Sequence, residues 1–234
     1  MPDQRDLADL LWDGREPSSR GPKAAFSRAH VARTAMDLAD AEGLQAVSMQ
    51  RVASELGFTK MALYRYVSGK AELIALMIEE AVGVAPDLDA VPGGWRPRLQ
   101  ELARCLAEAW DLHPWLPWIT VGDRIMGPRE LAWTERALTA LNGLGLDDHE
   151  RMDAVALVFG HVRNSRSAAT AGTQTWTSGT TGAIMREVVA AHADRFPSVA
   201  GLPPGAAPDA KGEFGLHRIL DGLATLIDQR RRAN

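Results

Sequence analysis

The segment that decides the fold is residues 48–73, SMQRVASELGFTKMALYRYVSGKAEL. It contains two short stretches with helical spacing of apolar residues, separated by a turn at Gly57. Ser48 and Thr59 stand at the starts of these stretches, and both residue types are good N-caps of helices. Glycine at the turn tolerates the positive φ that a tight connection requires. The segment therefore predicts a helix-turn-helix.

The second helix of this unit has an apolar side and a polar side. Leu63 and Val67 are expected to be buried, so the outward side chains are Lys60, Met61, Tyr64 and Arg65, with Tyr66 near that face. A helix in the major groove of DNA places such side chains against base edges and phosphates. Lys70 begins the next helix, where its charge and the free N–H groups of a helix N-terminus favour a phosphate. This pattern indicates double-stranded DNA as a partner.

The charges of the chain are unevenly distributed. The net charge is −4, but residues 14–70 contain nine Lys and Arg against five Asp and Glu. Local positive charge is what a phosphate-binding surface requires. Three of these cations, Arg15, Arg20 and Lys23, lie in an arm rich in Pro, Ser and Gly. That arm is either a solvated tail or a segment that enters the minor groove.

Helical patterns continue on both sides of the segment, and no stretch shows convincing strand alternation. We expect a helix at about 28–42, capped by Ser27 and ended by Gly43, and another at about 69–84, capped by Ser68. Three prolines and two glycines in residues 86–97 mark a domain boundary. Beyond it, helices are predicted at 96–112, 115–121, 128–142, 147–171, 180–195 and 213–231, with a loop at 197–212.

Residues 27–73 resemble the DNA-binding domain of the tetracycline-repressor (TetR) family. The resemblance lies in Gly57-Phe58-Thr59, in the pair Leu63-Tyr64, and in Lys70 ahead of Glu72-Leu73. It implies a one-component transcriptional regulator, most simply a repressor. The expected fold is all-α: an N-terminal three-helix helix-turn-helix domain and a C-terminal helical bundle. The expected divisions are a flexible arm (1–26), the DNA-binding domain with its linker helix (27–85), and a ligand-binding and dimerisation domain (86–234).

The resemblance also assigns roles to individual residues. It implies phosphate contacts by Tyr64 and Lys70, and a base or phosphate contact by Gln50. The residues it turns towards the bases are Lys60, Met61, Ala62 and Tyr66. The predicted DNA interface is Ser48, Gln50, Thr59, Lys60, Met61, Ala62, Tyr64, Arg65, Tyr66 and Lys70. One short recognition helix covers few base pairs, so we expect a homodimer on a palindromic operator, with half-sites about 34 Å apart.

Aromatic residues are concentrated in the second domain, where five of the seven tryptophans lie between residues 110 and 176. Walls rich in aromatic residues and Met suit apolar or planar ligands, although such residues also fill ordinary cores. The polar side chain of His161 is a further candidate partner. We expect a small hydrophobic or aromatic effector to contact Trp110, His113, Trp115, Trp118, Met126, Trp133, Met152, Phe159, Arg163, Asn164 and Trp176.

The helices at 147–171 and 213–231 are candidates for dimerisation, because related proteins pair two long late helices with the same two of a partner. Their apolar faces fit either that use or packing within the monomer. These faces consist of Val155, Val158, Phe159 and Val162, and of Leu216, Ile219, Leu220, Leu223 and Leu226.

Features of other protein classes are absent from the sequence. Cys105 is the single cysteine, so no internal disulfide can form, and we expect a buried thiol in a reducing, cytoplasmic compartment. No apolar run approaches the ~20 residues that cross a bilayer. There is no Walker A loop, nucleophile elbow or metal-ligand spacing, so no enzymatic activity, metal or cofactor is predicted. The alternatives are an enzyme without a recognised motif and a helical interaction protein that does not bind DNA.

Overall fold

The computed structural model describes residues 4–12, 27–171, 179–203, 209 and 211–233. Within these ranges every regular element is helical, which confirms the all-α prediction. The α-helices are α1 (Gln4–Trp12), α2 (Arg28–Glu42), α3 (Met49–Glu55), α4 (Lys60–Leu63), α5 (Lys70–Val82), α6 (Trp95–Leu112), α7 (Leu116–Ile119), α8 (Pro128–Ala140), α9 (Asp148–Ala171), α10 (Gly179–Ala191), α11 (Pro197–Ala200) and α12 (Glu213–Ala233). A 3₁₀ turn occupies Leu44–Ala46.

The N-terminal domain is built on the pairing of α2 with α5. Ser27 Oγ accepts the N–H of His30 at 3.2 Å and so begins α2, as expected of an N-cap. Gly43, with φ of +88°, ends the helix. Helix α3 packs against α2, and α4 packs against α3. The predicted helix at 28–42 is therefore confirmed at both ends.

Helix α5 belongs to the cores of both domains. Its residues Leu73, Met77, Ile78 and Val82 are buried. It packs against α1 and α2 of the N-terminal domain and against α6, α7 and α8 of the C-terminal domain. The buried side chains of the two domains consequently form one continuous cluster.

In the C-terminal domain, α6 packs against α8 and α9, and α9 packs against α12. The apolar faces of α9 and α12, for which the sequence left two uses open, lie within the monomer. Buried or partly buried in this core are Val155, Val158, Phe159 and Val162 of α9 and Leu216, Ile219, Leu220 and Leu223 of α12. A dimer interface on these helices would have to use their other faces. No helix in the described ranges combines the length and the hydropathy needed to span a membrane.

Helix α1 corrects the expectation of a flexible arm for residues 4–12. Leu7, Leu10 and Leu11 have three- and four-residue spacing, Leu11 is buried, and the helix packs against α5. Trp12 Nε1 donates to the carbonyl of Met126 at 3.1 Å, which fixes the end of α1 to the C-terminal domain. The basic part of the predicted arm, with Arg15, Arg20 and Lys23, lies outside the described residues.

Two further elements differ from the prediction. Helix α7 has four residues where 115–121 was expected, and α11 lies inside the predicted loop 197–212. Pro197 begins α11, since proline is favoured in the first turn of a helix, where no backbone donor is needed.

A buried carboxylate fastens α5 to the start of α8. Glu79 accepts the backbone N–H groups of Arg129 at 2.9 Å and Glu130 at 3.2 Å, so it caps the N-terminus of α8. Burial raises the pKa of Glu79. Arg129 Nη1 returns two bonds, to the Glu79 carbonyl at 3.2 Å and to the Glu80 carboxylate at 2.9 Å. A Cβ on Gly127 would lie 2.2 Å from Glu79 Cδ, so this joint requires glycine at position 127.

We predict that Gly127→Ala lowers the free energy of unfolding by about 1–3 kcal/mol, the usual range for overpacking a filled site. The φ of Gly127 is −85°, a value that alanine adopts without strain, so the cost comes from the collision with Glu79. Urea denaturation measures it. In a Glu79→Ala background the cost of Gly127→Ala should largely disappear, and an unchanged cost there would contradict the assignment.

Candidate functional site

Side-chain caps position the two helices of the helix-turn-helix. Ser48 Oγ accepts the N–H of Arg51, and Thr59 Oγ1 accepts the N–H of Ala62, each at 3.2 Å. Gly57 makes the turn with φ of +67°. Ser48 and Thr59, predicted as DNA contacts, thus have a structural role as caps. Both residues are exposed, and each hydroxyl can still donate its hydrogen outwards.

The structure brings together four exposed side chains on and just beyond α4, which we call the recognition surface: Lys60, Met61, Tyr64 and Arg65. Met61 is 75% exposed and Tyr64 40%. Lys60 Nζ lies 5.9 Å from the centroid of the Tyr64 ring. Ala62 is half-buried on the same helix, and Gln50 is exposed on α3. The surface combines two cations with two large apolar or aromatic groups.

Tyr66 does not belong to the recognition surface, and the expectation that it faces bases is wrong. It is only 7% exposed and stacks on Phe58, with ring centroids 6.1 Å apart and planes at 8°. Its carbonyl accepts from Arg28 Nε at 3.0 Å. Tyr66 follows the buried Leu63 by three residues, and the helical hydrogen bonds that continue to Val67 keep it on that buried side.

The start of α5 lies next along the chain. The sequence predicted Ser68 as its cap, but the N-cap is Gly69, and no side chain caps the helix. Ser68 instead donates both its N–H, at 2.7 Å, and its hydroxyl to the Glu72 carboxylate. Lys70, the first helical residue, is exposed. Its ammonium group and the N–H groups of the first turn together suit a phosphate.

Helix α1 places negative charge beside the recognition surface, which the sequence analysis did not anticipate. Asp6 and Asp9 share the lining of a cleft of about 310 Å³ with Tyr64 and Arg65. Carboxylates repel a phosphate backbone. The side of α4 that faces α1 is therefore the less favourable one for DNA.

Asp40 of α2 joins the N-terminal domain to the corner between α6 and α7. Its carboxylate accepts from Trp115 Nε1 at 2.6 Å and lies 3.0 Å from His113 Nδ1. His113 and Trp115 are buried. Both were expected to contact a ligand, but their polar atoms are engaged in this joint. Asp40 lies 73 residues from His113 in the chain, so no local pattern indicates the contact.

Four of the predicted ligand residues lie on the surface of the protomer: Trp118, Met126, Met152 and Asn164. Trp118 and Met152 are each 50% exposed. The structure therefore does not bring these four residues together with the buried tryptophans. Trp176 lies outside the described residues.

The remaining predicted ligand residues lie in the interior between α6, α8 and α9. Trp110 and Trp133 are buried, and Phe159 and Arg163 are half-buried. The guanidinium of Arg163 lies over the Trp110 ring, 5.5 Å from its centroid, and Arg163 Nη2 donates to the Thr120 carbonyl at 3.1 Å. Trp110, Trp133 and Arg163 form the candidate effector site.

Two clefts lie elsewhere, and of the candidate ligand residues in the described part of the chain only His161 lines one of them. A polar cleft of about 500 Å³ opens between α6, α9 and the start of α12. There His161 Nε2 lies 2.6 Å from the Gly212 carbonyl, so His161 is engaged with the chain itself. An apolar cleft of about 290 Å³ lies between α1, α5 and residues 119–130.

The described residues contain no group of three His, Cys, Asp or Glu side chains that could hold a metal ion. Cys105 is half-buried on α6, where its thiol lies 3.4 Å from the Glu101 carboxylate. Burial raises the pKa of this thiol. A raised pKa disfavours the reactive thiolate, in agreement with a packing role for Cys105.

Comparison with known proteins supports the same class of molecule, a helix-turn-helix regulator with a helical second domain. Residues 32–77 match the model of bacterial regulatory proteins of the tetR family, and residues 86–227 match the tetracyclin repressor-like C-terminal domain. The chain belongs to the TetR family of DNA-binding transcriptional regulators, whose members are not enzymes.

Individual relatives cover nearly the whole chain. The HTH-type transcriptional repressor DrrR1 of Streptomyces coeruleorubidus is 39% identical over 236 residues, covering 95% of this chain and 86% of that protein. A possible TetR family regulator of Streptomyces coelicolor A3(2) matches with a TM-score of 0.73 and 31% identity, over 86% of this chain and 100% of that one. ActR of Streptomyces coelicolor, in its complex with actinorhodin, matches with a TM-score of 0.71 and 26% identity, over 86% of this chain and 96% of that one.

We predict that Tyr66 stabilises the domain and does not select bases. Tyr66→Ala should lower the free energy of unfolding by about 3–5 kcal/mol, as removal of a buried aromatic ring does. Tyr66→Phe keeps the stack on Phe58 and should leave the preferred DNA sequence unchanged. Urea denaturation and selection from a randomised DNA library test the two halves. A changed base preference in Tyr66→Phe would show that the hydroxyl reaches DNA.

Proposed function

We propose that this chain is a transcriptional repressor that binds a palindromic operator as a homodimer and leaves it when a small hydrophobic or aromatic effector binds. The observation that carries the proposal is the exposed recognition surface beside the uncapped N-terminus of α5. Such a surface serves a protein that inserts α4 in the major groove and binds flanking phosphates. The repressor name of the relative from Streptomyces coeruleorubidus supports repression as the outcome.

Roles within the recognition surface follow from chemistry and position. Lys70, at a helix N-terminus, and Tyr64, with its hydroxyl, bind phosphates. Met61, the most exposed of the large apolar side chains around α4, contacts base edges such as the thymine methyl group. Lys60 donates to guanine O6 or N7. Arg65 lies towards the acidic side of the surface and adds a backbone contact.

The homodimer uses the outer faces of α9 and α12. Met152, Ala156, Leu157 and Gly160 form an exposed face on α9, and Leu157 is 58% exposed. On the neighbouring α12, Gly222 is exposed, and neither it nor Gly160 has an atom within 4 Å of a Cβ position. Small residues beside exposed apolar ones allow two copies of this helix pair to approach closely about a two-fold axis.

The effector binds at the candidate effector site and acts on DNA through α5. The indole rings of Trp110 and Trp133 suit a planar apolar compound. ActR has been crystallised with actinorhodin, which supports a small-molecule effector for this fold. Helix α8 carries Trp133, and its N-terminus is capped by Glu79 of α5. A shift of α8 therefore displaces α5 and changes the distance between the two recognition helices of the dimer. Operator affinity falls only by the difference in effector affinity between the two conformations.

We predict distinct effects for phosphate and base contacts. Lys70→Ala should weaken binding to all sequences and reduce the slope of log K against log salt by roughly 1.8, because each of the two chains of the dimer loses one phosphate contact of about 0.9 on B-DNA. Met61→Ala should instead change the preferred bases and leave that slope unchanged. Gel-shift titrations at several salt concentrations, with operator fragments selected from genomic DNA, provide the measurement.

Lys211→Ala is the matched control, because Lys211 is an exposed lysine in the other domain. It should change neither the affinity nor the slope. Equal slopes for Lys70→Ala and the wild type would contradict the phosphate assignment, and binding by neither protein to any fragment would contradict the DNA-binding proposal itself.

We predict that the wild type sediments as a dimer at micromolar concentration and that two chains occupy one operator. Leu157→Arg places charge in the proposed interface and should yield monomers with greatly reduced operator affinity. Leu131→Arg is the control, since Leu131 is also an exposed leucine but lies on α8. Sedimentation velocity measures both variants. Monomeric wild type, free and on DNA, or an unchanged dimer in Leu157→Arg would overturn the assignment.

A further inference from the structure

Three buried N–H donors of the candidate effector site lack acceptors. Trp110 is 4% exposed and Trp133 5%, and the Nε1 atom of each is buried. Arg163 Nε is buried in the same way. None of the three atoms has a hydrogen-bond partner among the residues that the structure describes. A buried donor without an acceptor destabilises the folded state, so three in one interior require a common explanation.

The three donors come from helices that pack on one another. Trp110 is on α6, Trp133 on α8 and Arg163 on α9, and each of these helices contacts the other two. Arg163 stacks on the Trp110 ring. Glu130 lies one helical turn before Trp133 on α8, and its charge acts on Arg163. The three helices that carry the donors therefore enclose one interior region.

The charge of Arg163 has no counter-ion in direct contact. No carboxylate in the described part of the chain forms an ion pair with Arg163, and its hydrogen bond to Thr120 goes to a neutral backbone carbonyl. Glu130, whose charge acts on Arg163, is held by two hydrogen bonds from Arg124. Burial, followed by the charge of Arg124, lowers the pKa of Arg163.

These observations discriminate between classes of occupant. A water molecule or a neutral carbonyl oxygen can accept the N–H groups but leaves the charge of Arg163 uncompensated. A cation would be repelled by the positive charge of Arg163. An anionic oxygen satisfies the donors and the charge at once, and charge-assisted hydrogen bonds are about twice as strong as neutral ones. The indole rings favour an aromatic group attached to that oxygen.

We propose that the effector is an aromatic anion whose acidic oxygen accepts hydrogen bonds from Arg163 Nε and the two indole N–H groups. The proposal rests on the proposed function for its regulatory meaning, since this site is taken as the effector site. Its chemistry is a carboxylate or an ionised phenol on a planar ring system. Arg163 is thus the residue that sets the specificity of the site.

Calorimetric titration of the full chain with three matched probes tests the proposal without DNA. The probes are 2-naphthoate, an anion; 2-naphthamide, its neutral counterpart; and 2-naphthylmethylammonium, a cation of similar size. We expect the wild type to bind 2-naphthoate at least about tenfold more tightly than 2-naphthamide, which corresponds to ~1.4 kcal/mol, and not to bind the cation. Failure of 2-naphthoate to bind, or equal affinity for the amide, overturns the proposal.

Two variants locate the effect. Arg163→Met removes the charge and keeps an unbranched chain, and it should abolish the preference for 2-naphthoate. Arg166→Met is the control on the same helix, because Arg166 Nε lies 3.3 Å from the Asp111 carboxylate and lines the polar cleft instead. It should preserve the preference. A preference that survives Arg163→Met, or is lost equally in both variants, overturns the role of Arg163.

A third variant keeps the test decisive if Arg163→Met does not fold. Trp133→Phe retains an aromatic ring and removes one N–H donor, so it should weaken 2-naphthoate binding several-fold while changing 2-naphthamide binding less. Equal losses for the two probes would show that the indole acts only as an apolar surface and would contradict the proposed hydrogen bond. A thermal melt followed by circular dichroism confirms the fold of each variant.

Operator-release assays separate this proposal from the proposed function. Release of operator DNA by 2-naphthoate and not by 2-naphthamide supports both. Release by neutral aromatic compounds alone retains the repressor and overturns the anionic effector. If no form of the protein binds an operator, the proposed function fails, whereas the calorimetric preference for the anion still decides the chemistry of the site.

Discussion

The burial of α5 between two cores is the constraint on which the rest of the structure depends. Its side chains belong at once to the cluster beneath the helix-turn-helix and to the cluster of the C-terminal bundle. Protein interiors are close-packed and do not deform continuously, so α5 has few alternative positions. Two carboxylates reinforce the connection between the domains. Asp40 accepts a hydrogen bond from Trp115 at the corner between α6 and α7, and Glu79 caps the N-terminus of α8. Both are acids of the N-terminal domain that accept hydrogen bonds from the C-terminal domain.

In the proposed release mechanism, the N-terminus of α8 is the contact through which a ligand acts on α5. Trp133 lies on α8 within the candidate effector site, and the first turn of the same helix is held on α5 by Glu79. Because Gly127 leaves no room between this turn and the Glu79 side chain, the joint is tight rather than compliant. A movement of α8 is therefore transmitted to α5 rather than absorbed at the junction.

The sequence predicts those parts of the molecule that depend on local chemistry. Ser27, Gly43, Ser48, Gly57 and Thr59 determine where helices begin and end, and the structure finds them in those positions. Tyr66 was assigned wrongly because it follows the buried Leu63 by three residues, a spacing that places it on the buried side of the helical turn. The helical spacing of Leu7, Leu10 and Leu11 was present, but residues 4–12 were included in the flexible arm with the Pro, Ser and Gly-rich segment that follows them.

The effector site could be predicted only in part for a different reason. The spacing of apolar residues shows that a tryptophan lies on the buried face of a helix. It does not show which residues of other helices that tryptophan contacts. Trp115 donates a hydrogen bond to Asp40, which lies 75 residues away in the chain. The buried N–H groups of Trp110 and Trp133, in contrast, have no acceptor among the described residues. The distinction depends on long-range packing and on the acceptors that each indole finds, and neither is encoded near the residue itself.

Several of the bonds that hold this architecture have a backbone carbonyl as acceptor. These are the bonds from Trp12 to Met126, from Arg28 to Tyr66, from Arg129 to Glu79 and from Arg163 to Thr120. Every amino acid supplies a carbonyl, so the acceptor position of each bond can mutate without losing it, while the donor position cannot. These four bonds therefore constrain the side chain at the donor position and not the side chain at the acceptor position. Where the acceptor residue is itself constrained, as at Tyr66 and Glu79, a separate contact is responsible: the stack on Phe58 and the cap of α8.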